Sequence, residues 1–205
     1  MIRFATFFLC GLLFTSSLPA AASVTPTERI KQTVDGVLQV LRDHDLDKQQ
    51  RRDRVRDIVR QRFDYESMSQ VILATSWRTA TEQQREQFIT LFRELLEQTY
   101  FSAMDSYEDQ SVRMGRERLK GSLAEVQTFI VSPSKEVPVS YKLRQRNNDW
   151  YAYDVTVDGV SLVSNYRTSF RNLVKEKGMD GLLAELAGKV ANLKTKNKLG
   201  ESAQK

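Results

Sequence analysis

The spacing of apolar residues changes from a helical to a strand period near the middle of the chain. Before about residue 110, apolar positions recur every three or four residues, which predicts four amphipathic helices. Thr27 is the predicted N-cap of the first helix, and Thr81 with Gln84 forms a capping-box pattern at the start of the fourth. The fourth helix has the longest apolar stripe, which comprises Phe88, Leu91, Phe92, Leu95, Leu96, Thr99, Tyr100, Met104 and Tyr107.

From about Ser111 the apolar residues alternate with polar ones, which predicts antiparallel strands joined by short turns. Turns are expected at residues 147–149 and at Asp158 with Gly159. Helical spacing returns at Leu162, with Gly178 at a C-cap position before the last helix. This order predicts an α+β fold, a twisted antiparallel sheet of about four strands wrapped by N- and C-terminal helices. We expect the long fourth helix to cover the apolar face of the sheet.

The first 22 residues have the pattern of a secretory signal peptide. Arg3 is their only charge, residues 4–14 form an apolar run, and residues 20–22 are alanines suited to cleavage. The run is shorter than the roughly 20 residues that span a bilayer. We therefore expect residues 1–22 to be removed on export, residues 23–193 to form one domain, and residues 194–205 to be a disordered polar tail.

Composition narrows the classes of function. The single cysteine, Cys10, lies inside the predicted signal peptide, so the exported protein would have no disulfide bond. The formal net charge of +5 is small, and basic residues are interspersed with acidic ones, which argues against nucleic-acid binding.

Two groups of basic residues have more than one interpretation. The arginines between residues 51 and 62 form either a solvated helix face or a docking surface for an acidic partner or for lipid headgroups. Lys142, Arg144 and Arg146 lie on one side of a predicted strand. They form either an exposed sheet face that deters aggregation or a face that binds a partner.

The chain offers little catalytic or metal-binding chemistry. His44 is the only histidine and lies in a polar segment after the first helix, away from any predicted pocket. Zinc sites are built mainly from histidine and cysteine, and this chain has only one of each, with the cysteine inside the predicted signal peptide. Asp154 and Asp158 on one strand face would lie about 13 Å apart, too far for a glycosidase pair. We therefore expect no enzyme activity and no metal site.

Several ordered motifs give the chain a family resemblance. The sequence resembles the MlaC family, the periplasmic phospholipid-shuttle component of the Mla (maintenance of lipid asymmetry) pathway, once called toluene-tolerance auxiliary proteins. The resemblance runs from the signal peptide to the last helix, although Glu82 stands where such proteins often have proline. The motifs are Tyr65-x-x-Met68-Ser69, Leu73-x-x-x-Trp77-Arg78, Gln84-x-x-x-Phe88-x-x-x-Phe92 and Asp154-x-x-x-x-Gly159-Val160-Ser161-Leu162-x-x-Asn165-Tyr166-Arg167.

The resemblance implies both a fold and a role. Such proteins adopt shapes similar to nuclear-transport-factor and cystatin-like folds, and they hold the acyl chains of a glycerophospholipid between sheet and helices. They exchange lipid with an outer-membrane lipoprotein–porin complex and with an inner-membrane ABC transporter complex that carries an MCE-domain protein. The expected protein is a periplasmic monomer with phospholipid as cargo and no cofactor, which helps to maintain outer-membrane lipid asymmetry.

We expect the cavity wall to combine the inward side of the long helix with facing strand residues. Two aromatic residues near the last helices would close it. The alternative is a periplasmic adaptor whose interior is filled and holds no lipid, with an isomerase-like enzyme on a similar fold as a remote third interpretation. The predicted wall residues are Phe92, Leu96, Tyr100, Met104, Val139, Tyr141, Val155, Val157, Tyr166 and Phe170.

Overall fold

The computed structural model describes residues 24–105 and 107–202, so the predicted signal peptide lies outside the described residues. The helices of the first half are α1 (Pro26–Arg42), α2 (Lys48–Arg60), α3 (Tyr65–Leu73), α4 (Thr75–Thr79) and α5 (Glu82–Asp105). The strands are β1 (Ser111–Lys120), β2 (Leu123–Val131), β3 (Glu136–Arg146), β4 (Asp149–Val157) and β5 (Val160–Ser161). The chain then forms α6 (Leu162–Ser202), which is interrupted at Gly178 with φ 71°.

The strands form one antiparallel meander in the order β1-β2-β3-β4-β5. Four strands are long and β5 has only two residues, so the predicted α+β class and strand content are confirmed. Asn147 and Asn148 connect β3 to β4 with φ values of 51° and 59°. Positive φ at both central residues is the requirement of a type I′ hairpin turn, which asparagine tolerates well.

Capping residues fix where the helices begin. Thr81 and Gln84 form the predicted box at the start of α5, with backbone-to-side-chain distances of 3.0 and 3.2 Å. The expected cap of α1 is wrong by two residues, because Thr25 is the N-cap and forms the box with Glu28. The Thr27 hydroxyl instead donates to Glu117 of β1 and ties the helix to the sheet.

The helix that covers the apolar face of the sheet is α1. Ile30 packs against a cluster of sheet residues, with Val34 beside it, and the Trp150 indole donates to the Val24 carbonyl at 3.1 Å. The expectation that the long helix α5 covers this face is therefore wrong. The apolar stripe of α5 is used against α3 and α6 instead. This sheet core comprises Ile30, Ala124, Val126, Leu143, Trp150 and Ala152.

A second core lies among α3, α5 and α6. Phe92 is fully buried there, with its ring centroid 5.9 Å from Phe88 and 5.3 Å from Tyr166, the latter edge to face. The helix α6 extends past Lys194, where the composition predicted a disordered tail. The Lys194 ammonium pairs with Glu94, and the Asn197 amide donates to Gln98, so polar contacts to α5 accompany this extension.

Asp154 links the end of the sheet to the start of α6. Its buried carboxylate accepts from the Ser161 hydroxyl at 2.8 Å and from the Val163 N–H at 3.2 Å, and it pairs with Lys142. Asp154→Ala is expected to lower the free energy of unfolding by about 2–4 kcal/mol, because it leaves buried donors without an acceptor. Urea denaturation followed by circular dichroism measures this loss. Asp154→Asn keeps the shape and one acceptor oxygen, so a loss as large as that of the alanine variant would contradict this explanation.

Candidate functional site

The two cores leave one end of the sheet uncovered. The first half of α1 is fixed at the end of the sheet where the β1–β2 and β3–β4 turns lie, through Thr27 to Glu117 and Arg29 to Asp149. At the opposite end the inner face of the sheet, the face that α1 covers, still carries apolar side chains. We call this region the open end of the sheet; it consists of Val112, Ile130, Val137 and Val157, which the strand register places on that face.

These side chains are unusually accessible for an inner face. Ile130 is 36% exposed and Val157 is 37% exposed, while Val112 and Val137 are half-buried. Tyr100 in the second half of α5 is similarly accessible, at 38% exposed. An apolar patch that faces inward without a covering side chain is a candidate for binding an apolar molecule.

The second half of α1 borders an open cavity of about 550 Å³. It is lined by the apolar Leu38 and by four polar or charged residues, Asp35, Gln39, Arg42 and Asp43. The Arg42 guanidinium donates to the Tyr107 hydroxyl at 3.0 Å, which connects the end of α1 to the segment between α5 and β1. Because β1 begins at the open end of the sheet, the cavity and the accessible apolar side chains lie at the same end of the molecule.

Three of the predicted wall residues are tyrosines. Burial raises the pKa of the Tyr100, Tyr141 and Tyr166 hydroxyls, while hydrogen bonds with Thr128 and Thr99 partly lower the pKa of Tyr141 and Tyr166. With an ordinary value near 10 raised further, the phenols stay neutral at physiological pH. The tyrosines therefore add no charge to the region.

The ten residues predicted to form the wall have different environments. Phe92, Leu96 and Phe170 are buried in the helical core among other helix residues. Val139 and Val155 are buried in the sheet, and Tyr141 is half-buried against the sheet core. The structure brings Tyr100 close to Tyr166 on the helical side and makes Val157 a cross-strand neighbour of Val139. Met104 lies apart from these residues, beside Arg51 and Arg52 of α2.

Other residues at this end were not selected from the sequence. Val112, Ile130 and Val137 belong to the predicted strands, but alternation alone does not distinguish a covered apolar residue from an uncovered one. Leu38 belongs to the apolar stripe of α1, which includes Ile30, Val34, Val37, Leu38 and Leu41. This stripe is wider than packing against a single element requires, and its width is the sequence signal that could have identified Leu38 as a site residue.

The described part of the chain offers no cluster of three or more histidine, cysteine or acidic side chains that could hold a metal ion. His44 is exposed in the turn after α1. Across the same described ranges, no helix is both long and apolar enough to cross a membrane.

A helix-wrapped sheet with accessible apolar residues on its inner face defines an α+β protein that can bind an apolar molecule. The chain belongs to the MlaC protein family, whose model matches residues 31–188. This confirms the family resemblance of the sequence, and the family is one of phospholipid-binding transport proteins.

Known proteins show the same similarity. The chain is 24% identical over 191 residues to the intermembrane phospholipid transport system binding protein MlaC of Haemophilus influenzae, with 88% of each chain covered. It is 26% identical over 136 residues to the toluene tolerance protein ttg2D of Pseudomonas putida, covering 64% of this chain and 63% of that protein. A phospholipid-binding protein from Ralstonia solanacearum, solved in complex with a phospholipid, matches with a TM-score of 0.76 and 25% identity. That match covers 82% of this chain and 97% of the other.

Proposed function

We propose that the exported protein carries glycerophospholipid across the periplasm, with the acyl chains held against the open end of the sheet. The observation that carries this proposal is the set of apolar side chains that face inward there and remain more than a third exposed, such as Ile130 and Val157. Membership of the MlaC family and the phospholipid-bound Ralstonia relative support the same cargo.

The energetics explain why such a carrier is required. A phospholipid with two chains has on the order of 30 methylenes, and each costs about 0.8 kcal/mol to expose to water. Transfer through an aqueous compartment would therefore cost more than about 20 kcal/mol without a carrier. A binding site must replace the bilayer with apolar protein surface, whereas recognition of the headgroup can be minimal because the acyl chains supply most of the energy.

The predicted wall residues would contribute in different ways. Tyr100 and Val157 would touch acyl chains directly, and Tyr141 and Tyr166 would present half-buried rings beside them. Val139, Val155 and Leu96 would form the layer behind, while Phe92 and Phe170 would hold the helices in position. Met104 would border the site near α2. The site would also include the open-end residues Val112, Ile130 and Val137, together with Leu38 of α1.

The address and the partners follow from the family. We infer that a cleaved signal peptide directs the protein to the periplasm, as befits a relative of an intermembrane transport protein. There it would receive and deliver lipid at an outer-membrane lipoprotein–porin complex and at an inner-membrane ABC transporter with an MCE-domain protein. This exchange would maintain outer-membrane lipid asymmetry. The protein itself would catalyse no reaction and need no cofactor.

Native mass spectrometry of the protein purified from a periplasm tests the proposal. We expect one phospholipid to co-purify at near-stoichiometric occupancy, and solvent extraction would then identify its headgroup and chains. The control is the same protein after delipidation, which should take up lipid again from vesicles. A protein that is purified without lipid and takes none from vesicles would contradict the proposal and favour an adaptor with a filled interior.

A further inference from the structure

The excess positive charge of the chain is confined to one part of the sheet. The whole chain has 31 cationic and 26 anionic residues, an excess of five. Residues 111–146, which contain β1, β2 and β3, have eight cationic and three anionic residues. The segment therefore holds the entire excess, and the remainder of the chain is balanced.

The strand register places most of these cations on one side of the sheet. Arg118 lies opposite Glu125, and Lys120 lies opposite Leu123, whose neighbour on β3 is Arg144. This is the outer face, opposite the one that α1 covers. We call it the basic face; it comprises Arg113, Arg118, Lys120, Lys142, Arg144 and Arg146, with Arg116 at the bulge of β1.

The basic face differs from the arginine-rich helix α2 in how its charges are compensated. Arg52 pairs with Asp105, Arg60 pairs with Glu97 at 2.6 Å, and Arg62 pairs with Asp149 at 2.9 Å. These α2 and neighbouring arginines thus serve to attach elements of the fold to one another. On the basic face, Arg113 pairs with Glu136, Arg118 with Glu125 and Lys142 with Asp154. Arg116, Lys120 and Arg146, by contrast, are exposed and form no ion pair within the described residues.

Aromatic rings hold several guanidinium groups of the basic face in place. The Arg113 guanidinium carbon lies 4.1 Å from the centroid of the Phe129 ring, and that of Arg146 lies 4.7 Å from the Tyr151 ring. The Arg144 guanidinium carbon lies 5.5 Å from the centroid of the Tyr153 ring, and the same group donates to the Ser67 hydroxyl of α3 at 3.0 Å. Stacking lowers the conformational entropy that each arginine loses on binding, and a planar guanidinium can pair with a carboxylate through two hydrogen bonds.

We propose that the basic face is a docking surface for an acidic protein surface. Fixed guanidinium groups suit carboxylates at fixed positions, whereas a fluid layer of anionic headgroups requires only net charge. The face lies on the opposite side of the sheet from the accessible apolar residues, so docking would leave the lipid site free. The choice of partner rests on the proposed function. The partner would be a protein of the outer-membrane lipoprotein–porin complex or of the inner-membrane ABC transporter complex.

The test compares two variants with the same change in charge. Arg116→Glu, Lys120→Glu and Arg146→Glu are combined in the first variant. Lys175→Glu, Lys189→Glu and Lys196→Glu are combined in the control, since these lysines are exposed on α6 and form no ion pair within the described residues. Each is measured for binding to the periplasmic domain of the MCE-domain protein and to the outer-membrane lipoprotein of the same organism, at 50 and 300 mM NaCl.

We expect the basic-face variant to lose at least tenfold in affinity for one of these partners at 50 mM NaCl, while the α6 variant stays within threefold of the parent. Added salt should weaken binding of the parent and of the control much more than binding of the basic-face variant. The proposal is overturned if both variants weaken equally, if neither does, or if the parent binds neither partner. It is also overturned if only binding to anionic phosphatidylglycerol vesicles is lost, because the occupant would then be a membrane.

A second readout separates this proposal from the proposed function. Native mass spectrometry of the basic-face variant should detect as much co-purifying phospholipid as in the parent, because the substituted residues lie on the other side of the sheet. Loss of partner binding with lipid retained supports the docking surface. Absence of lipid from the parent would contradict the carrier function, and the affinity comparison would still decide the docking surface.

Discussion

Val157→Glu is expected to lower the amount of co-purifying phospholipid at least tenfold while the protein still folds. The Val157 side chain is 37% exposed in the open end of the sheet, so a glutamate there can reach water when no lipid is bound. Acyl chains would remove that water, and an unpaired carboxylate is strongly disfavoured in apolar surroundings. A penalty of only about 1.4 kcal/mol on binding already gives a tenfold loss.

Val71→Glu is the matched control. Val71 is also a valine and is also 37% exposed, but it lies on α3 rather than on the sheet. Lipid occupancy is measured by native mass spectrometry and folding by circular dichroism. If both variants lose lipid equally, the loss reflects general instability rather than contact with the acyl chains. If Val157→Glu keeps its lipid, Val157 is not part of the wall.

The elements of this fold were predictable because their signals are local in sequence. The capping box of Thr81 and Gln84 and the turn at Asn147 and Asn148 act within four residues, so the sequence contains the complete interaction. Gly178 likewise marks the break in α6 through its own positive φ. Local chemistry of this kind determines where elements begin and end, whatever they pack against.

The partner of each element was not predictable by the same means. Both α1 and α5 have apolar stripes, and either could cover a sheet on periodicity alone. The position of α1 is stabilised by contacts across about 90 to 120 residues of sequence, from Thr27 to Glu117 and from Arg29 to Asp149. Such pairs leave no periodic signal in a single sequence.

The two basic groups illustrate the same limit. The arginines of α2 and the cations of β3 both form clusters in the sequence, and both clusters had two interpretations. The two groups can be distinguished only in the structure, where Glu97, Asp105 and Asp149 form ion pairs with arginines of α2 and the residues after it. Charge compensation between distant elements is a property of the fold, whereas charge density is a property of the sequence.

The apolar stripe of α5 contains residues that the sequence could not separate into core and site. Phe92 and Tyr100 lie eight residues apart, a little over two helical turns, so they lie on roughly the same side of the helix. Phe92 is fully buried against Phe88, Tyr166 and Phe170, whereas Tyr100 is 38% exposed. The Phe92 ring is enclosed by rings of α5 and α6, whereas much of the Tyr100 side chain faces solvent.

Phe92→Ala is therefore expected to reduce mainly stability, and Tyr100→Ala to reduce mainly lipid binding. Phe92→Ala should lower the free energy of unfolding by about 3–5 kcal/mol, because it leaves a cavity among packed rings. Tyr100→Ala should lower it by only about 1 kcal/mol or less, since much of its ring is already in water, but it should reduce bound phospholipid several-fold. Urea denaturation of the delipidated proteins measures the first effect, and native mass spectrometry measures the second. Equal losses of stability in the two variants would mean that Tyr100 belongs to the core, and the acyl chains would then have to lie closer to α1.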